Sequence, residues 1–350
     1  MKAAVISMGS ISSEMTVSEM KKLFTSVDHL NVSELEVSML GTSAEVLYGG
    51  KPLKQYDCIY AKGSGRYANL LRAVTTVVGP ECFMPVRPGA FTIGHNKLLA
   101  HLKFQVANVP MPRTWVVSTA ESAKKILKKV PYPVVMKMPS GTHGKGVMLA
   151  DSYESASSMV DALALLKQPF LIQEYVETGG TDIRAFVIGD RVVAAMKRVA
   201  QPDEKRANLH AGGEAKRIEM DEKTSQIAVR AARAVGAEIC GVDILRGPKG
   251  AMVIEVNLSP GIQGISKATK VNVGEKIARY LYERTKELAG RAGDKVVQEL
   301  IGEPKEIVSK VELRGDRILL PGVVTKLTKF AEQDDIVIEA NKGDVRVKKY

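Results

Sequence analysis

Cysteine is scarce in this 350-residue chain, and the three present, Cys58, Cys82 and Cys240, stand far apart. That spacing supports neither a disulfide framework nor a zinc site, and a reducing cytoplasm is the plain expectation. No apolar run approaches the length that spans a bilayer. The opening MKAAVISMGS has one Lys and an apolar run too short for a secretory signal, so it reads as a first strand. No G-x-x-x-x-G-K-[ST] occurs and no G-x-G-x-x-G opens a helix, which excludes a P-loop and a dinucleotide fingerprint. The histidines are scattered and the cysteines lie outside the motifs described below, so no Ser/His/Asp or Cys/His arrangement suggests a nucleophilic side chain. His210, in NLHAGG, reads as a loop histidine bonding its own turn. There is no internal repeat and no low-complexity tract.

What is present is ordinary globular sequence, 45% hydrophobic and 25% charged, and long enough for two or three domains. The net charge is +11, yet residues 291–350 carry 12 Lys/Arg against 11 Asp/Glu, so nearly all of the excess sits on residues 1–290. A basic body suits an anionic ligand such as a nucleotide, an acidic protein or a nucleic acid; simple solvation is the plain alternative.

Residues 1–90 alternate apolar strands (AAVIS, LNVSELEVSML, YDCIYAK) with helical stretches, the pattern of a small α/β layer unit. Residues 91–290 begin with a helix from about Asn96, for which Leu98, Leu99 and Leu102 supply an apolar stripe. Then follow the strand YPVVMKM, the glycine loop GTHGKGV, an amphipathic helix SYESASSMVDALALLK and the strand PFLIQEYV. DIRAFVIG and RVVAAMKRV form a hairpin, EKTSQIAVRAARAVG a helix ending at Gly236, and EICGVDILRGPKGAMVIEVN two strands around a turn. GEKIARYLYERTKELAG reads as a helix capped by Gly290. Residues 291–350 look separate, with a strand VELRGDRILLP, a short helix GVVTKLTKF and a hairpin turned at Asn-Lys-Gly-Asp.

The strand VIEVN poses the chemical question. Side chains alternate with period two, so Glu255 and Asn257 share a face of an otherwise apolar strand. With a five-residue loop RGPKG, Asp243 of the preceding strand falls almost opposite Glu255. Two facing carboxylates in a half-buried sheet need a counter-charge, and Mg²⁺ or Mn²⁺ answers with Asn257 as third oxygen ligand. An exposed sheet face wetted by water is the bland alternative. A divalent ion held by few carboxylates usually brings phosphate. The candidate cradle is Lys137 at a strand end followed by SGTHGKGV, where Gly141, Gly144 and Gly146 free backbone N–H groups. Lys97 is a second candidate cation. QEYV ends a strand where backbone groups can meet an adenine edge, with Tyr175 or Val176 over its face.

In order, Lys97, Lys137 with its glycine loop, QEYV, DIRAFVIGDRVVAAMKR, RANLHAGG, GVDILR and EVNLSPG resemble the ATP-grasp superfamily, and within it the RimK-type glutamate ligases. The resemblance covers about residues 1–285. It implies an α/β fold of α+β subdomains: an N-terminal α/β layer unit (1–90), an ATP-grasp catalytic domain (91–290), and a linker with a small, mostly β appendage (291–350). It implies ATP at Lys97, Lys137, Glu174, Tyr175, Asp182, Arg206 and Asn208, and two Mg²⁺ or Mn²⁺ ions at Asp243, Glu255 and Asn257. Arg184, Arg198 and Arg206 match arginines near the reacting carboxylate or acyl phosphate. His143 stands where the family commonly has Gln, with little effect expected in a loop that works through its backbone. The implied reaction joins L-glutamate to an acceptor carboxylate through an acyl phosphate, releasing ADP.

The resemblance to the ligase that modifies the C-terminus of a ribosomal protein makes such a terminus one candidate acceptor. Ligation of glutamate to a deazaflavin or pterin, or of an amino acid to a carrier protein, stays open. So does a DNA-associated regulatory protein with a vestigial ATP site. Residues 308–350 resemble the swapped-hairpin AbrB-like fold, which implies a homo-oligomer, dimer or tetramer; with a net charge of +1 the segment lacks the basic footprint of a DNA reader. Neither a membrane nor a nucleic acid is the expected partner. Lys62 and Arg66, in YAKGSGRYANLL, are candidate contacts to an anionic acceptor, with solvated loop charge as the plain alternative.

Overall fold

The computed structural model describes residues 1–138, 146–199 and 214–299, together with the strand segments 312–314, 317–319, 336–341 and 344–349. The chain divides into two compact units, Met1–Arg291 and Ala292–Tyr350.

The first unit opens with β1 (Lys2–Ser7), α1 (Ile11–Met20) and β2 (Ser26–Asn31). Next come β3 (Leu35–Leu40), β4 (Ser43–Tyr48), β5 (Lys51–Pro52) and β6 (Cys58–Ala61). β1 is the middle of a three-stranded sheet and pairs in parallel with both β2 and β6; Ala3 to Ile6 are fully buried. An apolar strand flanked by parallel partners has core on both faces, which explains its unbroken hydrophobic run. β3, β4 and β5 form a separate antiparallel sheet.

Three helices follow, α2 (Ala68–Val78), α3 (Pro88–Gly94) and α4 (Lys97–Val106). Asn96 caps α4 by accepting from the Leu99 N–H at 3.1 Å, the local signal that starts the helix. Its inner face, however, is Ala100, His101 and Phe104, while Leu99 and Leu102 are exposed. The apolar stripe read from the leucines is therefore corrected: helical spacing also aligns residues 97, 101 and 104, and that row turns inward.

Two antiparallel sheets carry the rest of the unit. One has the order β7–β10–β8–β9 and is built from β7 (Thr114–Val117), β8 (Val134–Lys137), β9 (Val147–Ala150) and β10 (Phe170–Glu174). Helices α5 (Ala120–Leu127) and α6 (Tyr153–Ala164) supply Ala123, Leu127, Ala156 and Val160 to the core beneath it. The other has the order β13–β12–β11–β14–β15, from β11 (Thr181–Ile188), β12 (Arg191–Val199), β13 (Glu214–Arg217), β14 (Ile239–Gly247) and β15 (Gly250–Asn257). α7 (Glu222–Val235) packs on this sheet; Asp221 caps its start, and Gly236 ends it at φ +83°, a left-handed conformation that glycine adopts without strain.

α8 (Gln263–Thr269) and α9 (Val273–Glu299) complete this part of the chain. α9 runs past Gly290, which was expected to cap it; a glycine inside a helix costs only about 1 kcal/mol relative to alanine, and residues 291–299 contain no proline to stop the run.

In the second unit the stretch expected as one strand is a hairpin, β16 (Glu312–Arg314) against β17 (Arg317–Leu319), split where the sequence reads Gly-Asp. β18 (Ile336–Asn341) and β19 (Asp344–Lys349) pair as expected around Asn-Lys-Gly-Asp. The helix expected over GVVTKLTKF lies outside the described residues.

Candidate active site

Strand register builds the centre of the site. Across β11, β14 and β15 the pairs Arg184↔Asp243 and Asp243↔Glu255 set three charged residues in one row. The β14–β15 turn is tighter than the five-residue loop expected, since Gly247 pairs with Gly250. A two-residue turn alone would set Asp243 opposite Ile254. An irregularity between Asp243 and Ile244 shifts the register by one and brings Glu255 opposite Asp243 instead. One turn of the strand pattern away, Asp182 pairs with Arg198 across β11–β12, on the same face of β11 as Arg184.

The side chains follow this layout. Arg184 grips Asp243 with both edges of a fork, Nε to Oδ1 and Nη2 to Oδ2, the latter at 2.7 Å. Arg198 grips Asp182 in the same way at 2.6 and 2.7 Å, and its Nη2 also reaches Asp243 Oδ2 at 3.1 Å. Asp243 is 5% exposed and Arg198 7%, so the polar row is no wetted outer face. The counter-charge that Asp243 needs is thus supplied within the sheet by two guanidiniums, in the bidentate geometry that binds carboxylate best. Burial alone would raise the Asp243 pKa, but Arg184 and Arg198 hold it below the usual carboxylate range. Asp182, with burial and the Asp243 charge against it, is pushed up.

Glu255 is in a different position. Burial and then the Asp243 charge raise its pKa, opposed by Lys97, Arg184 and Lys137. Oriented to satisfy both neighbours, the Asn257 amide donates to Glu255 Oε1 at 3.1 Å and accepts from Arg184 Nη2 at 3.1 Å.

Lys137 ends β8 and is 9% exposed. Its ammonium donates to Gln173 Oε1 at 2.5 Å, an amide rather than a carboxylate. The Gln173 amide nitrogen in turn donates to Thr114 Oγ1 at 2.8 Å and meets His101 Nε2 at 3.1 Å, while His101 Nδ1 lies 2.6 Å from the Lys97 carbonyl. A carbonyl can only accept, so Nδ1 carries the proton and Nε2 accepts from Gln173. Burial lowers the His101 pKa to about 4 and keeps this tautomer neutral. Burial, with Lys97 nearby, likewise pushes the Lys137 pKa down to about 8. His101, Gln173 and Thr114 were not read as site residues from the sequence. The inward 97–101–104 row of α4 was the available signal.

The structure therefore brings Lys97, Lys137, Asp182, Arg184, Arg198, Asp243, Glu255 and Asn257 together. Glu174 sits at the end of β10 and is ion-paired at 2.6 Å with Lys249 in the β14–β15 turn. Tyr175 follows, half-buried, and Gly146 accepts the Met138 N–H at 3.1 Å. Gly141, His143, Gly144, Arg206, Asn208 and His210 lie outside the described residues.

Two antiparallel sheets backed by helices, one ending in the buried Lys137 and the other carrying the Arg184–Asp243–Glu255 row, define an ATP-grasp enzyme. A model of the RimK-like ATP-grasp domain matches residues 94–281, and the chain belongs to that family of ATP-dependent ligases. It is 42% identical over 252 residues to a "Probable alpha-L-glutamate ligase" of Legionella pneumophila (strain Corby), covering 69% of this chain and 81% of the relative. To the protein of the same description from Shewanella loihica it is 35% identical over 274 residues, 77% of this chain and 90% of that one. Among solved structures, the ATP-grasp ligase PsnB complexed with minimal precursor, Mg and ADP superposes with a TM-score of 0.64 at 18% identity, covering 81% of this chain and 98% of that chain. A RimK domain ATP-grasp protein from Sphaerobacter thermophilus gives 0.63 at 17% identity, covering 80% and 99%.

Proposed function

We propose that the protein is an α-L-glutamate ligase, joining the amine of L-glutamate to an acceptor carboxylate through an acyl phosphate with release of ADP. The acceptor favoured is a protein C-terminus. The relatives described as probable glutamate ligases support the amino acid. The observation that carries the reading is the charge row Arg184–Asp243–Glu255 facing two cations, the half-buried Lys97 and the buried Lys137, both of which act on the Glu255 charge.

In this reading Lys97 and Lys137 hold nucleotide phosphates, and the Gln173–His101 relay fixes where the Lys137 ammonium points. Asp243, Glu255 and Asn257 offer hard oxygen donors, and the Glu255 charge, disfavoured by burial and by Asp243, fits a site completed by a cation. Mg²⁺ or Mn²⁺ bound there, as two ions, supplies neutralisation of the phosphate oxygens. Among the described residues both guanidiniums meet their carboxylates through Nε and Nη2, and in this reading their Nη1 edges serve substrate phosphate or carboxylate. In residues 292–350 the two hairpins, with almost no net charge, favour oligomerisation over DNA binding.

The test is incubation of the full chain with ATP, Mg²⁺, L-glutamate and a panel of acceptor peptides and cofactors, scored by mass increments of one glutamate. Glutamate-dependent ADP release that is abolished in Glu255→Ala and Lys137→Ala is expected. Undiminished turnover in either variant would overturn the site assignment.

A further inference from the structure

Beside the charge row lies a second polar cluster that the reading above does not use. Lys62 follows β6, its N–H bonded to the Ile6 carbonyl at 2.8 Å, so it stands at the carboxyl ends of the parallel strands β1 and β6. Ligands of open parallel sheets bind outside those ends. Lys62 is no solvated loop charge: it is 4% exposed, and among the described residues its ammonium meets no carboxylate. Among the described residues its compensation is the Tyr60 ring, whose centroid lies 5.7 Å away. Burial pushes the Lys62 pKa down to about 8. An ammonium desolvated without an anion is costly and calls for one.

The next residue ties Lys62 to the metal-side strand. The Gly63 N–H donates to Ser259 Oγ at 2.8 Å, and Ser259 Oγ–H donates back to the Gly63 carbonyl at 3.0 Å. Gly94, at the end of α3, approaches Leu258 so closely that a Cβ there would lie 2.7 Å from Leu258 Cδ1, and this seats His95 against the same turn. Burial lowers the His95 pKa against the opposing effect of the Gly63 backbone, and among the described residues its Nε2 is buried with no partner. With Nε2 unpartnered, the ring meets the Gly63 backbone through Nδ1, and a neutral ring that carries its proton there has Nε2 as an acceptor.

A cation lacking an anion and an acceptor lacking a donor are thus joined through one glycine. We propose that Lys62 and His95 form the subsite for the free amino acid, Lys62 binding its α-carboxylate and His95 Nε2 accepting an N–H of its α-amine. The two groups of an amino acid sit on one carbon, which suits two side chains linked through a single residue. This rests on the ligase reading and adds to it where the amine substrate docks.

The experiment titrates L-glutamate, glutarate (no amine) and 4-aminobutyrate (no α-carboxylate) onto the full chain loaded with ADP and Mg²⁺, for wild type, Lys62→Met and His95→Phe. Wild type is expected to prefer glutamate. Lys62→Met is expected to weaken glutamate at least tenfold, down to the level of 4-aminobutyrate, and to leave 4-aminobutyrate and ADP binding unchanged. His95→Phe is expected to erase the preference for glutamate over glutarate. Melting temperature guards against a merely structural role: Lys62→Met removes an uncompensated buried charge, so it should melt no lower than wild type. Equal loss for glutamate and 4-aminobutyrate, unchanged glutamate affinity, or a lowered melting temperature would each overturn the proposal. Failure of wild type to bind ADP would instead strike the ligase reading itself.

Discussion

Replacing Glu255 by Gln and Asp243 by Asn should move stability in opposite directions although both residues face each other and both serve the same reaction. Asp243 is shared by two guanidiniums, so its neutral variant leaves Arg184 without a counter-charge in a buried setting. Removing one member of a buried ion pair costs about 3–5 kcal/mol, and the low end applies because Arg198 keeps Asp182. At about 2–4 °C per kcal/mol for a domain of 150–250 residues, the melting temperature should fall by roughly 6–12 °C. Among the described residues Glu255 has no such pair; its raised pKa reports that burial and Asp243 outweigh the nearby cations. Glutamine keeps an oxygen for the Asn257 amide and removes the charge, so a gain of about 0.5–2 kcal/mol is expected, the size typical of relieving a functional compromise. The sign also fixes a pH window. A carboxyl raised above its ordinary value of 4.5 binds more protons when folded, so its penalty is full above the folded pKa and disappears as pH falls below about 4.5. Differential scanning calorimetry from pH 4 to pH 8 should therefore show the Glu255→Gln advantage at pH 7–8 and its disappearance toward pH 4, with ADP release lost throughout. If Glu255→Gln melts as far below wild type as Asp243→Asn does, the charge row is structural and the reasoning is wrong.

Three further outcomes are expected. Gln173→Leu strands the Lys137 ammonium and one face of His101, and an unsatisfied buried donor costs about 1–3 kcal/mol; ATP affinity should fall about tenfold or more while the affinity for glutamate holds, as read by equilibrium titration of each. Lys137 has its folded pKa lowered to about 8 from 10.5, so the unfolded chain binds the extra proton between those values and stability should rise with pH across that window; kcat/KM for ATP should fall over the same range, and a Lys137→Met variant should lose the stability increment. Removing residues 292–350 should leave a folded unit that still releases ADP, because Met1–Arg291 holds every described site residue; light scattering that shows a smaller assembly than the full chain would assign oligomerisation to the removed unit, and an unchanged assembly would refute it.

Legibility from sequence tracked the range of the interaction. Alternation within a strand is local, so Glu255 and Asn257 could be placed on one face and Asp243 near them. Caps are local too, and Asn96 and Gly236 end their helices where read. The register shift beside Asp243 was not legible, because it depends on how two strands settle against each other, and it decides which residue faces the carboxylate. The inner face of α4 was misread for the same reason: Leu99 and Leu102 are the better hydrophobes, yet the helix turns His101 inward toward Gln173 from a strand 72 residues away. Lys62 in a Gly-Ser-Gly context looks like a solvated loop cation, yet it is 4% exposed, and the residue after it is tied by hydrogen bonds to Ser259, 196 residues away in sequence. The same contrast separates the two kinds of cation at the site. The arginines are neutralised inside the sheet by carboxylates they grip in forked pairs, so their role begins with holding Asp243 and Asp182 in place. The lysines at positions 62 and 137 are buried against a ring and an amide, and both have pKa values pushed to about 8 by desolvation. Cations buried without carboxylate partners destabilise the empty protein, and their placement is preorganisation for anions that arrive with the substrates. A fold that spends stability on two such lysines, one beside the charge row and one at the sheet ends, is built to be completed by a polyphosphate on one side and a carboxylate on the other.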